Sequence, residues 1–356
     1  MPSALANLNE CVWGDYLSAQ QGRLAPLPDI SHPTSRVVRI MGGNAGLMRL
    51  QGTNTYLVGT GRHRLLIDTG QGFRPWIDSL LHVLEDLDVE LSHVLLTHWP
   101  SDHTGGVPDL IARRPEYADR IYKCDPDRGQ RAISHGQVFS VEGAAVHAVF
   151  TPGHAHDHMC FMLEEEHALF TGDNVLGQGQ SVFEDLGTFT QSLADMAALG
   201  CRVGYPAHGP VIMDLRRKME ECIRQKEARE RHVWATLEAG KVVSLPSSSS
   251  SPSSSFGLGG KGSLSVAELV ERMYGGLPGG VSQLVVCPSV LAILDKLAEE
   301  RKVGFEMVQG EQRWFTREAT RPRRLGGKTA AFAWGASYDN SVTLLRSPTL
   351  LRPLRL

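Results

Sequence analysis

The segment THWPSDHTGG (97–106) follows directly on the apolar run of residues 92–96, and no other feature constrains the fold as much. The apolar run reads as a buried strand. Two histidines and an aspartate crowded into one loop at a strand end can converge on a single point with little backbone strain, the usual way a catalytic metal site is assembled. TPGH (151–154), TGDN (171–174) and PAHGP (206–210) repeat the placement, each closing a predicted strand. Polar residues gathered at strand ends, with helices between the strands, predict a layered α/β domain.

The rest of the pattern agrees. Strands are expected at 37–41, 55–58, 64–67, 121–123, 145–150, 159–163 and 168–170, with a short one ending near Tyr205. Helical spacing covers 76–87, where Leu80, Leu81, Val83, Leu84 and Leu87 share a face, and 187–199. Asp214 is the expected N-cap of a long charged helix running toward Leu237 and ending at Gly240. Residues 247–255 are almost pure serine and glycines follow, so 241–262 reads as a linker. Beyond it, Ser263-Leu264-Ser265-Val266 opens a helix through Met273, and a second over 289–300 and a hairpin within 303–315 complete a predicted small winged-helix-like unit at 263–320. Residues 321–356 show no period and stay unassigned. The expected division is therefore a catalytic domain over 1–240, the linker, the small unit and a tail.

Composition narrows the function classes. With 42% hydrophobic and 21% charged residues the chain is of ordinary globular type, and no apolar run approaches the roughly 18 residues a membrane helix needs. Residues 1–10 lack the features of a secretory signal, so a cytoplasmic location and no membrane partner are expected. The six cysteines form no CxxC pair and read as free thiols. Residues 301–356 hold 11 Lys/Arg against 4 Asp/Glu, a basic tail within a chain of net charge −3. No basic, aromatic-bearing cluster flanks the motifs, which argues against a nucleic-acid partner.

The ordered set GTNTYLV (52–58), LLIDTG (65–70), THxxxDHTGG (97–106), TPGH (151–154), TGD (171–173) and His208-Gly209 resembles the metallo-β-lactamase superfamily. WGDYL (13–17), RLAPLP (23–28), LQGTN (50–54) and GQSVFEDLGT (179–188) resemble its fungal branch of polyketide synthase-associated thioesterases, of the atrochrysone carboxyl-carrier type. That resemblance spans about residues 10–315 and implies an αβ/βα sandwich. It implies a first metal held by His98 and His154, a second held by Asp102, His103 and His208, and Asp173 bridging the two. The metal implied is Zn2+, one ion or two, with Mn2+ as the alternative. Asp102 would also move a proton, and His158 would orient a ligand from behind. The implied partner is an acyl carrier domain of a non-reducing polyketide synthase bearing an aromatic polyketide thioester, which is hydrolysed or released by ring closure.

One position departs from the pattern. The family loop reads His-x-His-x-Asp-His, and the middle histidine is Pro100 here, which has neither a ligand atom nor a backbone N–H. His98, His154 and Asp173 still give the first metal the three protein ligands of a catalytic zinc. His156 reads as a surface histidine before it reads as a substitute donor. Asp68 reads as a turn brace that can also support the site from behind. Gly42, Gly43 and Gly46 form no dinucleotide fingerprint, and the serine run shows no nucleophile elbow. Two rivals remain: another hydrolase of the same fold, glyoxalase-II-like or RNA-cleaving, and a degenerate member that binds metal without turnover.

Overall fold

A computed structural model describes residues 24–46, 49–242, 262–276 and 286–317. WGDYL, the serine linker and the tail over 321–356 lie outside the described residues. The first sheet runs in sequence order through β1 (Ile30–Ser31), β2 (Val37–Met41), β3 (Asn54–Val58), β4 (His63–Ile67), β5 (Glu90–Leu95), β6 (Ile121–Lys123) and β7 (Arg131–Ala132). Pairing is antiparallel from β1 to β4 and parallel from β4 to β7. The switch at β4 needs a crossover. It is supplied by α1 (Arg74–Asp86), whose Trp76, Ile77, Leu80, Val83 and Leu84 are buried. Two short helices, α2 (Ser101–Thr104) and α3 (Val107–Arg113), follow β5.

The second sheet holds β8 (Val138–Val141), β9 (Ala144–Phe150), β10 (Met159–Leu163), β11 (Ala168–Gly172) and β12 (Val203–Pro206) in the spatial order β12-β11-β10-β9-β8. Only β11 and β12 are parallel, joined across α4 (Leu186–Ala198). Between the sheets lies one core, with Tyr56, Leu65, Ile67 and Leu95 from the first meeting Val146, Phe161, Phe170 and Tyr205 from the second. The outer face of the first sheet packs under α1. That of the second packs under α4 and α5 (Leu215–Val242). Two mixed sheets covered by helices on both outer faces give the metallo-β-lactamase architecture. No described helix is long and apolar enough to cross a membrane.

The C-terminal elements are β13 (Leu264–Ser265), α6 (Val266–Tyr274), α7 (Cys287–Glu299), β14 (Val303–Val308) and β15 (Glu311–Thr316), the strands pairing in the order β13-β15-β14. Ser265 and Glu268 form a reciprocal capping box that starts α6. Leu269, Val290, Leu294 and Trp314 share a single hydrophobic cluster with Leu193 of α4 and Leu237 of α5. Gly240 does not end α5, which continues to Val242. A Cβ there would stand 3.3 Å from Leu264, so the glycine admits the C-terminal segment close to the helix rather than stopping it.

Candidate metal centre

Strands β4, β5, β9, β11 and β12 end at Ile67, Leu95, Phe150, Gly172 and Pro206, and each hands the chain within a few residues to an expected site residue. Asp68, His98, His154, Asp173 and His208 thereby come from five different strand ends. Asp102 and His103 come from α2, which starts immediately after Pro100. Pro100 suits that position: its φ of −58° is ready for a helix start, and its carbonyl accepts the His103 and Thr104 amides at 3.0 and 3.2 Å. The two sheets are tied together beside the site. Asn54 donates through its side chain to the carbonyls of Pro206 and Gly209, both at 2.8 Å, and Thr53 bridges to His208.

Hydrogen bonds assign the four imidazoles one tautomer. His103 Nδ1–H donates to Asp68 Oδ2 at 2.8 Å, His208 Nδ1–H to the Gly52 carbonyl at 3.1 Å, and His154 Nδ1–H to the Val182 carbonyl at 2.9 Å. Thr97 Oγ1 donates to Asp68, so it accepts from His98 Nδ1–H at 2.9 Å. Each ring is therefore held at Nδ1 and turns Nε2 toward a common centre. His98 and His154 place these two nitrogens 3.1 Å apart. Asp173 Oδ2 is 3.6 Å from both His103 and His154 Nε2, and its Oδ1 is 3.3 Å from His208 Nε2. Asp102 Oδ2 stands 3.5 Å from His103 Nε2 and 3.4 Å from His208 Nε2. Two trios, His98–His103–Asp173 and Asp102–His103–His208, each bring their ligand atoms within 4.8 Å of one another.

The charges are unbalanced without a cation. Burial, with His103 and His154 alongside, pushes the His98 imidazole well below its usual range, so a second proton on His98, at Nε2, is disfavoured. Two lone pairs facing each other at 3.1 Å otherwise repel. Burial also opposes protonation of His103 and His208. There the carboxylates outweigh it: Asp173 and Asp68 raise His103 well above its normal value, and Asp173 and Asp102 raise His208 to about 9. Against burial, the His103 and His208 imidazoles, 3.5 and 3.4 Å away, hold Asp102 well below the usual carboxylate range, and the charges of His208 and His103 do the same for Asp173. His103 Nε2, His208 Nε2 and Asp173 Oδ1 are buried without a hydrogen-bond partner. Orphaned buried polar atoms of this kind call for a ligand, and mixed imidazole and carboxylate donors suit a divalent transition metal.

The remaining expected residues fall around this centre. His158, fully buried, accepts the Asp173 amide at Nε2 (3.1 Å) and pairs with Thr151 Oγ1 through Nδ1 (3.0 Å), so it fixes Asp173 from behind. Gly172 leaves the space: a Cβ there would meet His158 Nε2 at 2.4 Å. Asp68 takes φ +59° and accepts the Thr97 amide and hydroxyl as well as His103. His156 is 65% exposed and pairs with Asp125 and Glu184 away from the centre. Sequence reasoning missed the buried pair Lys123–Asp157, 3.5 Å apart, whose carboxylate also accepts the Trp99 amide at 3.3 Å and braces the ligand loop.

Comparison with known proteins places this arrangement. The model of the metallo-beta-lactamase superfamily matches residues 48–229. The chain is 55% identical over 305 residues to lactamase-like protein adaB of Aspergillus niger, covering 85% of this chain and 93% of the relative. It is 49% identical over 348 residues to lactamase-like protein nscB of Arthroderma otae, covering 90% and 97%. Among solved structures, a metallo-beta-lactamase family protein from Thermus thermophilus aligns with TM-score 0.54 and 25% identity over 74% of this chain and 94% of that one. A beta-lactamase domain protein from Burkholderia ambifaria aligns at TM-score 0.61 and 16% identity over 82% and 97%, a likeness of fold. With its motifs in family order, its strand-end histidines and aspartates converging, and relatives matching nearly end to end, this chain belongs to the metallo-β-lactamase superfamily.

Proposed function

We propose that the protein is a metal-dependent hydrolase that cleaves an aromatic polyketide thioester from an acyl carrier domain in the cytoplasm. The observation that carries the metal part is the set of four imidazoles, each anchored at Nδ1 with Nε2 turned toward its neighbours. His98 and His154 with Asp173 would hold one ion, and Asp102, His103 and His208 the other, Zn2+ being the metal that such donors favour and Mn2+ the alternative. Bound there, the metal would supply Lewis acidity at the carbonyl and acidify water. The thioester part rests on the resemblance of residues 179–188 and 50–54 to the thioesterase branch. Exposed apolar side chains on the site loops suit an aromatic acyl chain: Trp99 next to His98, and Val182 on the loop that anchors His154.

In hydrolysis the water oxygen adds to the thioester carbonyl carbon, the C–S bond breaks, and the carrier thiol and a carboxylic acid leave. Asp102 is ionised and stands between His103 and His208, so its carboxylate receives the proton of the attacking water and returns it to the departing sulfur. His158 and Asp68 touch only other protein groups and keep Asp173, Thr97 and His103 in place. The test offers the zinc-loaded protein three substrates: an aromatic thioester of N-acetylcysteamine, a phosphodiester and a β-lactam. Thioester cleavage above the other two is expected. Preference for the phosphodiester or the β-lactam would overturn the substrate assignment.

A further inference from the structure

Lys226 lies midway along α5 and is only 5% exposed. Its ammonium donates to the Ser181 carbonyl at 2.6 Å and stands over two aromatic rings, 4.4 Å from the centroid of Phe183 and 5.3 Å from that of Phe189. Burial lowers its pKa to about 7, and the nearby Arg229 guanidinium adds to that effect. A methionine would fill the same space without desolvating a charge, so a lysine here stabilises the fold poorly.

What the ammonium touches explains its use. The next carbonyl along the chain, that of Val182, receives the His154 imidazole: Nδ1 is 2.9 Å from it and 3.1 Å from Ser181 Oγ, and that hydroxyl donates to the Val182 carbonyl at 2.8 Å. The same loop closes on the His154 turn, since the amides of Glu184 and Asp185 donate to the Gly153 carbonyl at 2.7 and 3.1 Å. We infer that Lys226 is a positioning residue of the metal centre, which grips the Ser181 carbonyl from the helix layer and so holds in place the adjoining Val182 carbonyl and the Ser181 hydroxyl that aim His154 Nε2. Aim matters most at this ligand, because Pro100 leaves its metal one imidazole short. This inference rests on the metal reading proposed above.

The experiment measures Zn2+ stoichiometry and affinity by competition with a chromophoric chelator, and the visible spectrum of the Co2+-loaded protein. It compares the full-length parent with Lys226→Met, Lys226→Gln and Cys222→Ala. The parent is expected to bind metal; a parent that binds none overturns the metal reading and this inference with it. Lys226→Met is expected to bind its weaker equivalent about 10-fold less tightly, in line with the loss of an outer partner of a ligand, with a shifted Co2+ spectrum. Lys226→Gln, which keeps an N–H for Ser181, is expected to recover most of that loss. Cys222→Ala removes a buried side chain from the same helix and is expected to leave affinity unchanged. Parent-like affinity and spectrum in Lys226→Met would overturn the inference, as would an equal loss in Cys222→Ala, which marks a general effect of helix packing. Phe183→Leu strips the ring beneath the ammonium and decides the matter if Lys226→Met does not fold: about a 3-fold loss is expected, and none would contradict the inference.

Discussion

Asp68→Asn separates the brace from the ligands, because it changes one atom and one charge at a residue that touches no reacting group. The left-handed backbone at Asp68 (φ +59°) is one that asparagine also adopts, so the turn is expected to persist. The amide oxygen can still accept the Thr97 amide, now at 2.8 Å from Asp68 Oδ1. The amide nitrogen would then stand where Oδ2 accepts His103 Nδ1–H at 2.8 Å, and two donors would face each other. His103 escapes by moving its proton to Nε2, which blocks the lone pair common to both ligand trios. Loss of a buried charge-assisted hydrogen bond costs about 1.5–3 kcal/mol, and loss of an outer partner of a ligand costs about 10- to 100-fold in metal affinity. The assay pairs chelator competition for Zn2+ with urea unfolding of the metal-stripped protein. Metal affinity within twofold of the parent would refute the tautomer argument, whatever happened to stability.

Pro100→His restores the missing imidazole at the start of α2 and is expected to raise zinc toward two per chain and to speed thioester hydrolysis; unchanged metal content would show that the position does not face the centre. Because His208 is raised to about 9 and His103 well above its normal value by carboxylates, metal binding at neutral pH must displace protons. Apparent zinc affinity is therefore expected to climb with pH until about 9, and a flat profile from about pH 6 to 9 would contradict these charge states. Lys226 is depressed to about 7 in the fold against 10.5 in the unfolded chain, so the unfolded state binds more protons between those values and stability rises with pH across that window. Relieving this costs the chain nothing at high pH: Lys226→Met is expected to be more stable by about 1–2 kcal/mol at pH 7, once cation–π contacts offset part of the burial, with the gain gone near pH 10.5.

Most of the architecture was legible because buried strands in this fold are short apolar runs that stop at polar motifs: β2, β6 and β10 fall on the expected residues, the other expected strands lie within two or three, and β8, with only Phe139 buried, was missed. The two-residue strands β1 and β7 carry too few side chains to show a period, and α2 hides inside the ligand loop. The six proposed ligands were readable from motif order. Their orientation was not. His103 is held by Asp68, 35 residues earlier, and His208 by the carbonyl of Gly52, 156 residues earlier, and backbone acceptors leave no mark in a sequence. Lys226 was concealed among the many charges of α5, yet a signal existed. Leu215, Met219, Cys222, Lys226, Val233 and Leu237 are all buried, and the lysine falls at helical spacing on that apolar stripe.

Metal dependence of thioester cleavage is tested most directly on a single purified sample, with bound metal counted and hydrolysis of an aromatic N-acetylcysteamine thioester followed before chelation, after it, and after zinc is returned. Four imidazoles aimed at a common centre beside Asp102 and Asp173 predict activity that falls with metal content and recovers with it. Undiminished hydrolysis by protein from which all metal has been removed would contradict the reading at its root.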